Sequence, residues 1–341
     1  MKSFSGMCEL IIKGGIQLSP NLLEVKNLTT IFQTDSGKFS AVKDFNLSIK
    51  QGQITCVVGE SGSGKSITSL SIMRLLPPNG KVVSGEVLLN QRDILQMNKK
   101  EVLNIRGKSI SMIFQDPMSS LDPVFTCGSQ IVETIRIHKK ISKVEAKNKA
   151  LSLLKQVKIP HPETAYNSYP HELSGGMCQR IMIAMALSCD PDLLIADEPT
   201  TALDVTVQAE ILSLLREIRD DLGMGILLIT HDLGVVAEIA DQVVVMYAGQ
   251  IIEEGDTLSI FYDSRHPYTK GLIKSVPRLE QTNKKLYSID GSIPGIDSMP
   301  EGCRFHPRCP LATDVCYKKE PNKEKIDDKR SVRCWHANKE A

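Results

Sequence analysis

The stretch GESGSGKS, Gly59 to Ser66, has the spacing G-x-x-x-x-G-K-S. In that pattern, glycines let successive backbone N–H groups curl around phosphate oxygens. The lysine brings a cation to the outer phosphates, and the last hydroxyl can hold a magnesium ion. Gly59, Ser61, Gly62 and Gly64 are therefore candidates for a phosphate cradle, Lys65 for the β- and γ-phosphates, and Ser66 for Mg²⁺. Further on, LLIADE, Leu193 to Glu198, is an apolar run ending in two adjacent carboxylates. Successive strand residues point to opposite faces, so the two acids can do different work. Asp197 is expected to hold Mg²⁺ through water, and Glu198 to polarise an attacking water as general base. Alone, such a pair reads as a solvated loop start; a phosphate loop in the same chain gives it chemistry. His231 follows the apolar run GILLIT, and Gln115 follows SISMIF. The imidazole could donate to a γ-phosphate, and the amide could touch the metal or the attacking water.

A second anion site lies in HELSGGMCQR, residues 171–180, where Ser174, Gly175 and Gly176 open an apolar segment that reads as a helix. The free N–H groups and positive dipole end of a helix start attract anions. With no lysine, this is a half-site, too weak to hold a nucleotide alone.

These groups can meet only if the runs that carry them share one sheet. LLEVKNLTTIF, AVKDFNLSIK, GQITCVVGE, GEVLLN, SISMIF, LLIADE, GILLIT and QVVVMYAGQIIEEGD read as strands. Between them, KSITSLSIMRLLPP, SQIVETIRIHKK, KVEAKNKALSLLKQV, CQRIMIAMALS, TVQAEILSLLREIRDDLG and GVVAEIA read as helices. Strands alternating with helices imply an α/β fold with a mostly parallel sheet covered on both faces. Ligands of such sheets gather beyond the carboxyl ends of the strands, where His231 and Gln115 would lie. The run from about 115 to 190 is helical and predicts an inserted subdomain. Residues 1–21 read as an N-terminal extension and 22–260 as the main domain. From 261 to 341 proline, charge and cysteine increase, which predicts a separate C-terminal region.

Composition sets limits. The 341 residues are 41% hydrophobic and 24% charged, with a net charge of +1. That balance suits a globular protein and gives no electrostatic case for a nucleic-acid partner. Aromatics at 5% weaken base stacking on a nucleic acid further. No apolar run approaches the roughly 18 residues of a membrane span, and the N-terminal apolar block is too short for a secretory signal. A cytosolic chain is expected.

Taken in order, GESGSGKS, Gln115, LSGG, LLIADE, TALD (Thr201 to Asp204) and His231 resemble the complete motif set of the ABC-type ATPases, over about residues 22–260. The resemblance implies a P-loop NTPase fold with an antiparallel β part and a helical subdomain. It implies that two such domains meet head to tail around ATP. Ser174, Gly175 and Gly176 would then contact the γ-phosphate of ATP bound by the partner, and Asp204 would align the interface. Charge-assisted bonds from a lysine-free half-site suit a phosphate presented across an interface. An aromatic residue ahead of the phosphate loop stacks on adenine in this family, and Phe32 is the candidate. Met177 stands where the family usually has glutamine; following the glycines, it is not expected to be an essential donor.

QDPMSSLDPVFT, HELSGGM, DEPTTALDVTVQ and HPYTKGLIKSVP are similar to the ATPases of the oligopeptide, dipeptide and nickel importers. The resemblance implies ATP hydrolysis coupled to uptake, at the cytoplasmic face of the cell membrane. The implied partners are a second, homologous ABC ATPase in a heterodimer, two integral-membrane permeases and, indirectly, an extracytoplasmic substrate-binding protein. Permease loops would seat near Gln115–Thr126. HPYT, His266 to Thr269, reads as a helix start with no evident chemistry. A nickel or other small-solute importer is the nearest alternative. A soluble ABC ATPase acting on nucleic acid or the ribosome is the more distant one, and neither a coiled-coil insertion nor a second ATPase domain is evident for it.

Of nine cysteines, Cys8, Cys56, Cys127, Cys178 and Cys189 are scattered and read as small buried hydrophobes. Cys303, Cys309, Cys316 and Cys334 cluster in the tail with spacing C-x5-C-x6-C-x17-C. Zinc sites usually pair ligands as C-x2–4-C, which is absent here. Four thiolates on irregular loops could enclose an iron–sulfur cluster; zinc and free or disulfide-linked thiols stay open. The family resemblance implies a [4Fe–4S] cluster at these four positions, and a metal would staple a segment too small to fold alone.

Overall fold

The computed structural model of the protein describes residues 21–201, 203–276 and 287–337. The N-terminal extension up to residue 20, with Cys8, and Ala202 of TALD lie outside these residues.

The described residues begin with two long strands, β1 (Asn21–Thr34) and β2 (Gly37–Lys50), paired antiparallel. Strand β3 (Ile54–Val58) is buried throughout and runs into the phosphate loop and helix α1 (Lys65–Ile72). β4 (Gly80–Leu89) returns antiparallel to β1, with β5 (Arg92–Asp93) at its edge. α2 (Lys99–Ile105) starts at a capping box of Asn98 and Glu101 and leads to β6 (Ile110–Ile113). Five consecutive helices follow: α3 (Pro117–Ser120), α4 (Cys127–His138), α5 (Lys143–Gln156), α6 (Pro162–Asn167) and α7 (Gly175–Leu187). Strand and helix then alternate through β7 (Leu193–Asp197), α8 (Val205–Leu222), β8 (Gly225–Thr230), α9 (Leu233–Ile239) and β9 (Gln242–Tyr247). β10 (Gln250–Asp256), α10 (Thr257–Tyr262), α11 (Pro267–Ser275), α12 (Asp314–Lys318), β11 (Glu324–Lys325) and β12 (Ser331–Val332) complete the order.

Strands β9, β3, β8, β7 and β6 are adjacent and parallel. Both faces of this sheet are covered, so its strands read as continuous apolar runs. Within β3, Ile54, Cys56 and Val58 face the layer of α8, α9 and the helical subdomain. Val57, between them, faces α1 and the antiparallel sheet β2-β1-β4-β5. Each such fully buried side chain stabilises the fold by roughly 1.5–3 kcal/mol relative to exposure. Cys56, Cys127, Cys178 and Cys189 are buried in this packing, as small hydrophobes. Among the described residues no helix is long and apolar enough to cross a membrane.

The C-terminal segment packs onto the sheet. β12 extends it by pairing with β10, Glu253 opposite Val332. His266 caps α11, its Nδ1 accepting the Tyr268 N–H at 3.1 Å. HPYT is thus a helix start, but its histidine and tyrosine also build a core. Tyr268 and Phe305 pack edge-on against Tyr247, with His266 beside Phe305.

His266 is 1% exposed, and burial pushes its pKa down to about 3. From about pH 6.5, where a free imidazole titrates, down to about 3, the unfolded chain binds a proton that the folded chain refuses. This group therefore stabilises less as pH falls, by about 1.4 kcal/mol per unit across that window. Glu253 accepts the Arg265 and His266 N–H groups, and burial raises its carboxyl, so it acts in the opposite sense above the carboxylate range. Denaturant midpoints of wild type and His266→Asn between pH 4 and 7 separate the two. The variant should lose less stability on acidification, and parallel curves would rule out a buried neutral imidazole.

Candidate functional site

The phosphate loop spans the carboxyl end of β3 and the start of α1. Gly64, the N-cap of α1, has φ +100°, and a Cβ there would stand 2.9 Å from the Ala41 carbonyl oxygen. Only glycine suits that backbone and that approach. With no side-chain cap on α1, its first N–H groups stay available to the loop. Lys65 is nearly buried, and its Nζ donates to the carbonyls of Gly59 at 2.8 Å and Glu60 at 3.1 Å. Burial lowers its pKa, opposed by the charges of Glu198, Asp197 and Glu60. The ammonium is already aligned over the loop.

Adjacent parallel strands deliver the other groups. β6 leads to Gln115, β7 ends at Asp197 followed by Glu198, and β8 is followed by His231. The Ser66 hydroxyl donates to Asp197 Oδ1 at 3.1 Å. Asp197 is 5% exposed; burial raises its pKa, the Ser66 hydrogen bond opposes, and the Glu198 charge adds to the rise. A buried carboxylate beside a hydroxyl is a hard oxygen donor set of the kind Mg²⁺ takes alongside water and phosphates. Gln115 Nε2 donates to Glu198 Oε2 at 3.0 Å, and Thr201 Oγ1 donates to the same oxygen at 2.9 Å. His231 Nδ1 lies 3.2 Å from Glu198 Oε1. Glu198 itself has φ +49°, a left-handed backbone that costs a non-glycine residue on the order of 1 kcal/mol or more. Such strain persists where the surroundings fix the residue, as three partners do here.

Phe32, Gly62, Gly64, Lys65, Ser66, Gln115 and Glu198 line one pocket of about 460 Å³. That is within the roughly 300–1,000 Å³ of small-molecule sites. A neighbouring pocket of about 520 Å³ shares Ser61, Gln115 and Glu198 and adds Gly59, Thr201 and His231. Sequence reasoning missed several groups here. Pro294, Ile296 and Met299 also line the first pocket. Tyr268 Oη accepts the Glu60 N–H at 2.9 Å. Arg308 grips the Glu60 carboxylate with two hydrogen bonds, at 2.8 and 3.1 Å. HPYT was the only visible signal for these contacts, and it did not disclose them, because they join positions some 200 residues apart.

Ser174, Gly175, Gly176 and Asp204 line neither pocket. Ser174 caps α7, accepting the Met177 N–H at 3.4 Å, and Asp204 caps α8, accepting the Val207 N–H at 3.0 Å. The two helix starts touch: a Cβ on Gly176 would meet Val207 at 2.8 Å. Ser174, Gly175 and Asp204 are exposed, beside Val205, an apolar side chain 84% exposed.

In the tail, the Cys303 N–H donates to the Cys316 carbonyl at 2.8 Å. Burial pushes the thiols of Cys303 and Cys334 up to about 11. Charge on Cys309 and Cys316 would raise both further, so the four thiols are electrostatic neighbours. His336 Nε2 lies 3.6 Å from Cys316 Sγ. Among the described residues, no three His, Cys, Asp or Glu side chains stand close enough to hold one metal ion.

The family described as ABC transporter matches residues 42–201, and that described as Oligopeptide/dipeptide transporter, C-terminal region matches residues 252–316. The dipeptide transport ATP-binding protein DppD of Bacillus subtilis (strain 168) is 50% identical over 315 residues, covering 92% of this chain and 94% of its own. DppD of Escherichia coli (strain K12) is 47% identical over 315 residues, 92% of this chain and 96% of its own. The oligopeptide transport ATP-binding protein OppD of B. subtilis is 49% identical over 316 residues, 92% and 88% respectively. Among solved structures, the dimeric post-hydrolysis state of the ATP-binding cassette MJ0796 bound to ADP and Pi superposes with a TM-score of 0.63. It is 29% identical, over 69% of this chain and 98% of that one.

Proposed function

The chain belongs to the ABC transporter ATPases, in the branch with the oligopeptide/dipeptide C-terminal region, and on that premise we propose that it is the ATP-hydrolysing, energy-coupling subunit of a di- or oligopeptide importer. The observation that carries the reading is the convergence of Gln115, Thr201 and His231 on Glu198, beside the phosphate loop. The fold divides functionally into an ATPase domain, residues 22–260, with its helical part at about 115–190, and a C-terminal region, 261–341. The two family matches, at 42–201 and 252–316, follow the same order, the second beginning nine residues before the proposed boundary.

In this reading Phe32 packs on the adenine. Backbone N–H groups of the loop Gly59–Ser66 and the Lys65 ammonium bind the phosphates. Ser66 and Asp197, with Gln115 nearby, would hold Mg²⁺, which would offset phosphate charge. Glu198 takes the proton of the attacking water, and Gln115, Thr201 and His231 fix the carboxylate in place. Gln115 and His231 also face the phosphate end of the site. Ser174, Gly175, Gly176 and Asp204 serve the nucleotide of a second, homologous ATPase subunit. Their position outside this chain's own pockets supports that assignment.

With two permeases and an extracytoplasmic binding protein completing the importer, this subunit would sit at the cytoplasmic face of the membrane. Phe114, Met118, Val124 and Phe125 are apolar and exposed, on the stretch of chain between β6 and α4. Exposed apolar side chains on this stretch would suit contact with permease loops. The four tail cysteines are soft donors and at least partly buried, but as placed no three of them stand close enough to hold one ion, so a cluster here rests on the family resemblance alone. A [4Fe–4S] cluster held by Cys303, Cys309, Cys316 and Cys334 would crosslink the tail, a structural role.

Anaerobic affinity purification from membranes tests the whole assignment. Integral-membrane proteins and a second ATPase should come down with the chain. The preparation should be brown, with absorption near 400 nm and iron and sulfide in equal amounts. Recovery of the chain with nucleic acid or ribosomes instead would favour the soluble alternative. Zinc without iron would replace the cluster, and uptake of nickel rather than peptide would move the assignment within the group.

A further inference from the structure

The pocket that holds Phe32 and the phosphate loop has a wall from a distant part of the sequence. Pro294, Ile296 and Met299 line it, all apolar and all half-buried. They sit on a short loop built for a fixed shape. The Ser298 N–H donates to the Gly295 carbonyl at 3.1 Å, closing a turn that carries Ile296 and leads into Met299.

Three contacts anchor this loop to the nucleotide end of the molecule. Ile289 packs on Gly271 of α11, where an added Cβ would come within 2.9 Å of it. Arg308 donates to the carbonyls of Asp290 at 2.8 Å and Ile289 at 3.3 Å. The same guanidinium holds the Glu60 carboxylate, in the phosphate loop, through two bonds, and lies over the Tyr247 ring. A planar fork bound on two sides sets position as well as charge. The loop is thus tied to the phosphate-binding backbone by one buried side chain, with a side-chain exposure of 6%.

We propose that Ile296 and Met299 form part of the base-binding end of the nucleotide site, so that the C-terminal region contributes to adenine affinity. The inference rests on the nucleotide reading of the pocket. Phe32, Ile296 and Met299 share the pocket with the phosphate loop, so a nucleotide with its phosphates on Lys65 brings its base among them. A branched aliphatic chain and a thioether both pack well on a flat π face, and sulfur–aromatic contact adds to the burial. The wall recognises an aromatic heterocycle; it offers no charge to the phosphates.

That division of labour gives the test. The full-length protein is titrated with a fluorescent ATP analogue and competed with ATP or with inorganic tripolyphosphate, which has the charge but no base. In Ile296→Ser/Met299→Ser, ATP should bind about tenfold more weakly while tripolyphosphate competes as in wild type. Phe32→Ser should shift the same ratio. Lys65→Ala should weaken both competitors, and unaltered binding by that variant would overturn the nucleotide reading itself. If Lys65→Ala loses binding while the double variant keeps the wild-type ratio, the wall proposal alone falls. Peroxide labelling of the unmutated protein provides a second route that does not depend on a variant folding. ATP, but not tripolyphosphate, should slow oxidation of Met299 several-fold, and equal oxidation with and without ATP would overturn the proposal.

Discussion

Glu198→Gln in the assembled transporter should cut steady-state ATP turnover by at least about 10²-fold and leave ATP bound. The glutamine is the same size and keeps an oxygen for the hydrogen bonds that Gln115 and Thr201 donate. What it loses is the ability to take a proton. The strained backbone at φ +49° and the His231 contact at 3.2 Å fix the side chain, so the variant should not relax into another role. Single-turnover hydrolysis and nucleotide retention after gel filtration read the two effects separately. Wild-type turnover would remove Glu198 from the chemistry. Loss of nucleotide together with turnover would mean that the carboxylate supports binding, and Asp197, bonded to Ser66, would need a new role.

The second large effect concerns a residue far from this chain's own phosphate loop. Ser174→Arg should leave ATP affinity of the isolated subunit within about twofold of wild type. In the complex, turnover at the site whose phosphate loop belongs to the partner should fall by two orders of magnitude or more. The reason is geometric. Ser174 is exposed at the start of α7 and lines neither pocket here, so on the proposed reading its N–H-rich surroundings would serve a phosphate presented from outside. Loss of its capping bond, long at 3.4 Å, would cost about 1 kcal/mol, too little to account for such a loss. Pairing the variant with partner subunits that lack their own loop lysine shows which site fails. An unchanged rate, or a defect in the isolated subunit's affinity, would count against an active centre shared between two chains.

Both predictions started from residues readable in the sequence, because each lies in a short stretch with fixed local geometry. A glycine loop between a strand and a helix can be recognised from eight residues. Two acids at the end of an apolar run need only the next strand for company. That the sheet is mostly parallel was legible for the same reason, since runs buried on both faces read as largely apolar, but the order of its strands was not. Short pieces were harder to see. α2, α6 and α12 are seven residues or fewer, and the 3.6-residue period needs more than two turns to register.

Sequence alone named the candidate chemistry: which groups could bind phosphate, hold a metal and take a proton, and where a second anion site is expected. Only tertiary structure decided their company. It brought Gln115, Thr201 and His231 onto Glu198 and kept Ser174 away from the same pocket. It also set Tyr268, Arg308 and the loop at 294–299 against the phosphate loop. Local patterns encode backbone shape and reactivity. Contacts between positions two hundred residues apart depend on how layers pack, and no short stretch of sequence carries that information.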